Sequence, residues 1–345
     1  MKIESRKLIR GCLRSVIGIT AIVFVTLIGP AMLRSDRSMA QSQCATLENQ
    51  LKGLEAARAR LQKSLQKAAG EEKQSLLQQI REIESEIRPI QLEVDRCKGI
   101  TMNWTVAGWS RQALVFPPTS NVPGVRHPLI FAWHGHGGNM REVAQSMHFQ
   151  TLWQEAITVY PQGLHTETAG DQGGAGPGWQ KELGDDGNRD LKFFDAMLAT
   201  LQQKYAVDDQ RIYTTGFSNG TGFSYLLWAE RGQTLAAVGA VSGVLAEAER
   251  NKSIPPRALI SIAGANGNAP DGVQATIDKA QQINHAPDPG KQCPIPSGAP
   301  GGTTCRLYQS TTDTPVKQIT HPDGHVYLSW EPDEIVRFFK NHKKP

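Results

Sequence analysis

The segment Arg211-Ile212-Tyr213-Thr214-Thr215-Gly216-Phe217-Ser218-Asn219-Gly220 constrains this chain more than any other part of it. A β-branched and aromatic run leads into Gly-x-Ser-x-Gly, and a helix-like stretch follows from Thr221 to Glu230. A strand that turns sharply into a helix lifts the serine between them above the edge of a sheet. Gly216 and Gly220 stand where the strained turn and the tight helix-to-strand approach tolerate no Cβ, since glycine alone enters crowded and left-handed backbone regions cheaply. In a chain with 33 glycines the pentapeptide is a weak signal by itself. Its weight comes from its context and its partners.

A serine hydroxyl is a poor nucleophile at neutral pH and needs an imidazole to take its proton and a third group to orient that imidazole. In α/β-hydrolases, whose nucleophile elbow this turn resembles, the histidine comes last, on a loop after the final strand. His325 in His321-Pro322-Asp323-Gly324-His325 occupies that place, before a terminal helix that takes in Ile335 to Phe339. His321 is the rival, but Gly324 favours a tight loop that exposes the His325 ring. The developing oxyanion requires preorganised backbone N–H donors. His134-Gly135-His136-Gly137-Gly138-Asn139 resembles the His-Gly-rich oxyanion loop of esterases. One donor is expected from His136 or its neighbour and the other from Asn219. Metal binding by His134 and His136 is the competing reading, but no carboxylate or cysteine cluster nearby completes a site, so no metal is expected.

The 345 residues carry 39% hydrophobic side chains and a formal charge of +4, part of it in Lys2, Arg6, Lys7, Arg10 and Arg14. So mild a balance gives no argument for nucleic-acid binding. Those basic residues precede an uncharged apolar run, Val16 to Leu33, and the small-x-small triplet Ser38-Met39-Ala40. Residues 1–40 therefore read as a signal peptide, or as a membrane anchor if left uncleaved, and either places the remainder outside the cytoplasm, extracellular or periplasmic. Removing that leader leaves Cys44, Cys97, Cys293 and Cys305, an even number suited to an oxidising compartment, paired as 44 with 97 and 293 with 305.

From Leu47 to Val94 the apolar residues keep a heptad beat: Leu47, Leu51, Leu54, Leu61 and Leu65, then Leu76, Ile80, Ile83, Ile87, Ile90 and Val94. Two helices folded back at Gly70 give an antiparallel hairpin over residues 44–98, closed by Cys44 and Cys97. It reads either as an arm for a protein partner or self-association, or as a spacer or lid packed on the rest. From 101 to 345, short apolar strands alternate with helical patterns, as in parallel-sheet α/β proteins. Pro128–Trp133, Thr158–Tyr160, Arg211–Thr215, Ala236–Val241 and Ala258–Ile262 are the strands, and Leu191–Tyr205 is an amphipathic helix. The Pro- and Gly-rich stretch from Ala286 to Gly302 is a loop pinned by Cys293 and Cys305.

Leu129 through Gly135, Tyr160-Pro161-Gln162-Gly163, Gly178-Trp179, Asp208 through Gly220 and Gly324-His325 occur in an order similar to the extracellular polyhydroxybutyrate depolymerase and feruloyl esterase family. The resemblance covers about residues 101 to 342. It implies an α/β-hydrolase sheet with helices on both faces. It also implies a secreted serine esterase that needs no cofactor and acts on small or polymeric esters: hydroxyalkanoate oligomers or polyester, aryl or feruloyl esters, or acylated carbohydrates. Trp179 resembles the family's tryptophan near the substrate cleft, with a core tryptophan as the alternative. One departure concerns the triad acid, because Gly267 in Ala263-Gly264-Ala265-Asn266-Gly267 stands where the family's aspartate is expected. Asp271, Asn268, a distant carboxylate or none remain the choices. A catalytically impaired hydrolase fold that binds partners through its hairpin is the alternative function.

Overall fold

The computed structural model describes residues 32–119, 124–287 and 289–345, so most of the expected leader, including Val16 to Ala31 of its apolar run, lies outside the described residues. No helix among the described residues is long and apolar enough to cross a membrane. The chain divides into two compact units, residues 1–46 and 47–345. The described part of the first belongs to helix α1 (Met32–Leu65).

In the second unit the remainder of α1 runs back along α2 (Gly70–Lys98), with Leu51, Ile87 and Val94 buried between them and Leu47, Leu54, Ile83 and Ile90 packed around. The heptad positions thus form the seam. Lys98 pairs with Glu48 at 2.7 Å, which fixes the antiparallel register. The helix continues through Pro89 without a break. At its C-terminal end the Arg96 guanidinium donates to the Thr119 carbonyl, and Gly99 lies against Leu114 and Phe116. The hairpin is therefore packed on the sheet beside it.

An antiparallel pair follows, β1 (Ile100–Val106) and β2 (Trp109–Phe116), turned at Ala107 and Gly108, both at positive φ as a two-residue hairpin turn demands. Next come β3 (His127–Trp133), α3 (Met140–Met147), α4 (Phe149–Leu152) and β4 (Ile157–Pro161). A small ribbon of β5 (Leu164–His165) and β6 (Pro177–Gly178) leads to α5 (Arg189–Lys204), β7 (Val207–Phe217) and α6 (Asn219–Arg231). The chain continues with β8 (Ala237–Val241), α7 (Glu247–Arg250), β9 (Ala258–Gly264) and α8 (Pro270–Ile283). It ends with β10 (Lys291–Gln292), β11 (Thr304–Tyr308), β12 (Val316–His321) and α9 (Glu331–Lys340).

Ten strands form one sheet in the order β1-β2-β4-β3-β7-β8-β9-β12-β11-β10. The centre from β4 to β12 is parallel and the two flanks are antiparallel. Side chains of a strand alternate between faces, and β3 shows the result. Leu129, Phe131 and Trp133 join the core under α5, α6 and α8, whereas Ile130 and Ala132 join the core under α3 and α9. Helices thus cover both faces. The central strands read as near-continuous apolar runs for that reason.

Strands β1, β2, β10, β11 and β12 were not among those read from the sequence. In β1 exposed Thr101, Asn103 and Thr105 alternate with half-buried residues, and β12 places Lys317 and Gln318 between its apolar positions, so neither carries a long hydrophobic run. Cys44, Cys97, Cys293 and Cys305 are all disulfide-bonded. The Cys293–Cys305 bond closes a separation of 12 residues with Cα atoms 5.1 Å apart and pins the loop that contains β10. Closing a loop of that length stabilises a fold by about 3 kcal/mol in the chain-entropy account. A C293S/C305S variant is expected to lose about 2–3 kcal/mol of unfolding free energy in a urea titration.

Candidate active site

The site forms at the carboxyl ends of the parallel strands, where loops after β3, β7, β9 and β12 meet. Ser218 sits between β7 and α6 at φ +56° and ψ −118°, a conformation that a non-glycine residue adopts only under constraint. A Cβ on Gly220 would fall on the Trp133 carbonyl oxygen and 2.6 Å from that of His134, and one on Gly216 would overlap the backbone of Gly220. Both glycines are thus required by close backbone approach. Thr221 supports the turn from beneath, its hydroxyl meeting the carbonyls of Gly216 and Val241 at 2.6 Å each.

His325 Nε2 lies 2.8 Å from Ser218 Oγ. The ring rests on Phe217, and burial lowers its pKa from the ordinary 6.5, which keeps it neutral and able to accept a proton at pH 7. Among the described residues no carboxylate oxygen comes within ion-pair distance of it, and its Nδ1 has no hydrogen-bond partner. Asp271, expected as a candidate acid, lies exposed in the first turn of α8 and faces no imidazole. The helix begins at Pro270, one residue before it, and commits that carboxylate to the helix N-terminus. Asn268 lines the same cavity as Ser218 and His325, without bonding to the ring.

His321, the rival imidazole, is fully buried at the end of β12. Its Nε2 is 3.8 Å from Glu331, whose carboxyl is also fully buried and accepts the Leu328 N–H at 3.0 Å. Burial raises the Glu331 pKa from 4.5 to about 8 and lowers that of His321. This pair brackets the loop carrying His325.

The oxyanion-type loop after β3 abuts the serine directly, since a Cβ on Gly135 would stand 3.5 Å from that of Ser218. The main-chain N–H groups of His136 and Asn219 meet no protein acceptor among the described residues. His134 acts as a staple: Nδ1–H donates to the Gly135 carbonyl at 2.7 Å, and Nε2 accepts the Gly163 N–H at 2.9 Å. Burial brings its pKa down to about 4, consistent with that neutral tautomer. Both ring nitrogens are thereby engaged.

Trp179, expected near the substrate, is instead wholly buried against Trp133, Phe223 and His134, and its indole N–H donates to the His134 carbonyl at 2.9 Å. The core alternative describes its ring. Its main chain reaches the site all the same, because the Asn219 amide accepts from Trp179 N at 2.8 Å and donates to Trp179 O at 3.1 Å. The adjacent Gln180 is held by Asp190, which forms a fully buried ion pair with Arg111 at 2.8 Å. Asp171, Gln180 and Glu331 are the supporting residues that motif reasoning missed. Only the glycine-rich surroundings of Asp171 gave any local hint.

A cavity of about 430 Å³ opens beside Ser218 and His325, walled by Val244, Ala263 and Val273 among others, with Lys181 at its rim. Its volume falls within the range of about 300–1,000 Å³ common to small-molecule sites.

A parallel-centred sheet covered on both faces, with a serine on the strand-to-helix turn, defines an α/β-hydrolase fold. The chain belongs to the family described as Esterase PHB depolymerase, which matches residues 110–287. That range holds Ser218 and the oxyanion-type loop; His325 and the hairpin lie outside it. Feruloyl esterase C of Emericella nidulans is 28% identical over 243 residues, 66% of this chain and 83% of that protein. Feruloyl esterase D of Neurospora crassa is 28% identical over 158 residues, 42% of this chain and 49% of that protein, so the chain spans about half of that relative's length. The acetyl xylan esterase structure from Aspergillus awamori shares the fold, with a TM-score of 0.50 at 14% identity over 70% of this chain and 100% of that one.

Glu331 makes stability depend on pH in a definite direction. The folded state keeps its proton up to about pH 8, whereas an unfolded carboxyl releases it near 4.5. The contribution is complete below pH 4.5 and is lost as pH rises to 8, a range worth a few kcal/mol. In urea titrations from pH 5 to 8.5, E331Q is expected to lose less stability than the wild type, the gap between them widening by that order.

Proposed function

We propose that this protein is an exported serine esterase that hydrolyses carboxylic esters, such as hydroxyalkanoate oligomers or aryl and feruloyl esters, through an acyl-enzyme. The observation that carries the proposal is the 2.8 Å contact between Ser218 Oγ and His325 Nε2. Membership of an esterase family and the two named feruloyl esterase relatives support the same chemistry. The leader read from the sequence and the disulfide-bonded cysteines support export.

In this scheme Ser218 Oγ–H gives its proton to neutral His325 Nε2 as the oxygen attacks the acyl carbonyl. The negative oxygen that forms is met by the free N–H groups of His136 and Asn219. His325 then returns the proton to the departing alcohol, and a water activated by the same nitrogen cleaves the acyl-enzyme. For Nε2 to accept, the resting proton must occupy Nδ1, where no carboxylate among the described residues holds it. Losing that support in a serine triad costs about 10⁴ in rate, so slow turnover is expected.

That Nδ1 meets no partner among the described residues also favours a second reading, a catalytically impaired hydrolase fold that binds partners through its hairpin. Labelling by a fluorophosphonate probe and turnover of a short p-nitrophenyl ester separate the two. Both activities are expected in the wild type and absent in S218A; a folded wild type that shows neither would leave the binding role standing. Because Asp271 faces solvent, D271N is expected to keep ester turnover within about twofold, as surface changes generally do. A loss well beyond tenfold would return Asp271 to the orienting role.

A further inference from the structure

We infer that Asp171 and His136 form a positioning pair that sets the oxyanion side of the site, a role that rests on the esterase reading above. The imidazole held by a carboxylate here is His136. Its Nε2 lies 2.9 Å from Asp171 Oδ2, and the same oxygen accepts the Gly176 N–H at 2.8 Å. These bonds, with a further one from Ala175 N–H, hold the Asp171 carboxyl down at about 2, so it is ionised wherever an esterase works. Hydrogen bonds to a charged acceptor are about twice as strong as neutral ones.

The ring that this carboxylate holds is clamped by backbone. A Cβ on Gly176 would stand 2.7 Å from His136 Nε2, and one on Gly178 would stand 2.8 Å from Nδ1 and 2.9 Å from Asn219 Oδ1. His136 and Asn219 therefore lie against the same short segment, Gly176 to Trp179. The adjoining Gly137 N–H donates to Pro177 O at 2.8 Å, and the Asn219 amide pairs with both main-chain groups of Trp179. One strand of the β5–β6 ribbon thus ties together the two residues whose N–H groups face the reacting oxygen. Among the described residues the buried Nδ1 of His136 has no partner, so the bond to Asp171 is the hydrogen bond that holds the ring within its backbone clamp. Releasing it leaves the donor residue held by the Gly137 bond and by packing alone.

A donor displaced by about 1 Å costs transition-state stabilisation while leaving ground-state binding almost intact. The test uses the full chain as wild type, D171N, D171A and H136Q. It measures kcat and KM on p-nitrophenyl butyrate and the affinity for a trifluoromethyl ketone that forms a tetrahedral adduct with the serine. Urea unfolding confirms that each variant is folded, and D171N, which preserves shape, decides the matter if D171A is not. The expected result is a fall in kcat of about 10- to 100-fold with KM within threefold. The affinity for the ketone should weaken in the same ratio as kcat/KM. A folded D171N and H136Q with kcat within threefold of wild type, or a loss confined to KM, overturns the inference alone. A wild type that turns over no ester and forms no adduct sinks the esterase reading and this inference with it.

Discussion

The approach of Gly220 to the carbonyls of Trp133 and His134 is the contact on which the site depends. It lets α6 begin directly against the ends of β3 and β7, which compresses the turn and holds Ser218 at positive φ. The first N–H groups of a helix have no internal acceptor, so Asn219 presents a free donor beside the serine as a consequence of where the helix starts. The same closeness brings the loop after β3 into contact with Ser218. Ser218 and the N–H groups beside it therefore share one geometric origin.

Electrostatics divide the site into two halves. On one side, burial keeps His325 neutral, and the Glu331 carboxyl beside His321 holds its proton through neutral pH instead of offering a charge. On the oxyanion side, Asp171 stays ionised and is saturated with donors. His134 between them is neutral and fully bonded. Carboxylate charge thus holds the imidazole of the loop after β3, while among the described residues the imidazole that meets the serine packs against Phe217.

Much of the scaffold was legible because the signals were local. The apolar runs at Leu129–Trp133 and Ala258–Ile262 are buried on both faces, and the glycines at 216 and 220 encode a steric demand within five residues of one another. The heptad leucines and isoleucines likewise marked the hairpin seam. Strand β1 escaped notice because its half-exposed positions lack a hydrophobic run, and β12 because Lys317 and Gln318 interrupt one. Trp179 showed the limit of analogy: its ring went to the core, and its backbone went to the site.

By itself the sequence determined the central strands, the heptad hairpin, the turn that raises Ser218, and a late histidine as its candidate partner, because each depends on residue type and spacing along the chain. Only the tertiary structure decided what surrounds those groups. That Asp271 faces solvent, that Asp171 meets His136 across 35 positions, and that His321 is buried while His325 reaches the serine across 107 are outcomes of how loops from different strands pack. No local pattern encodes such contacts, since a carboxylate's partner is set by which loop the sheet brings beside it.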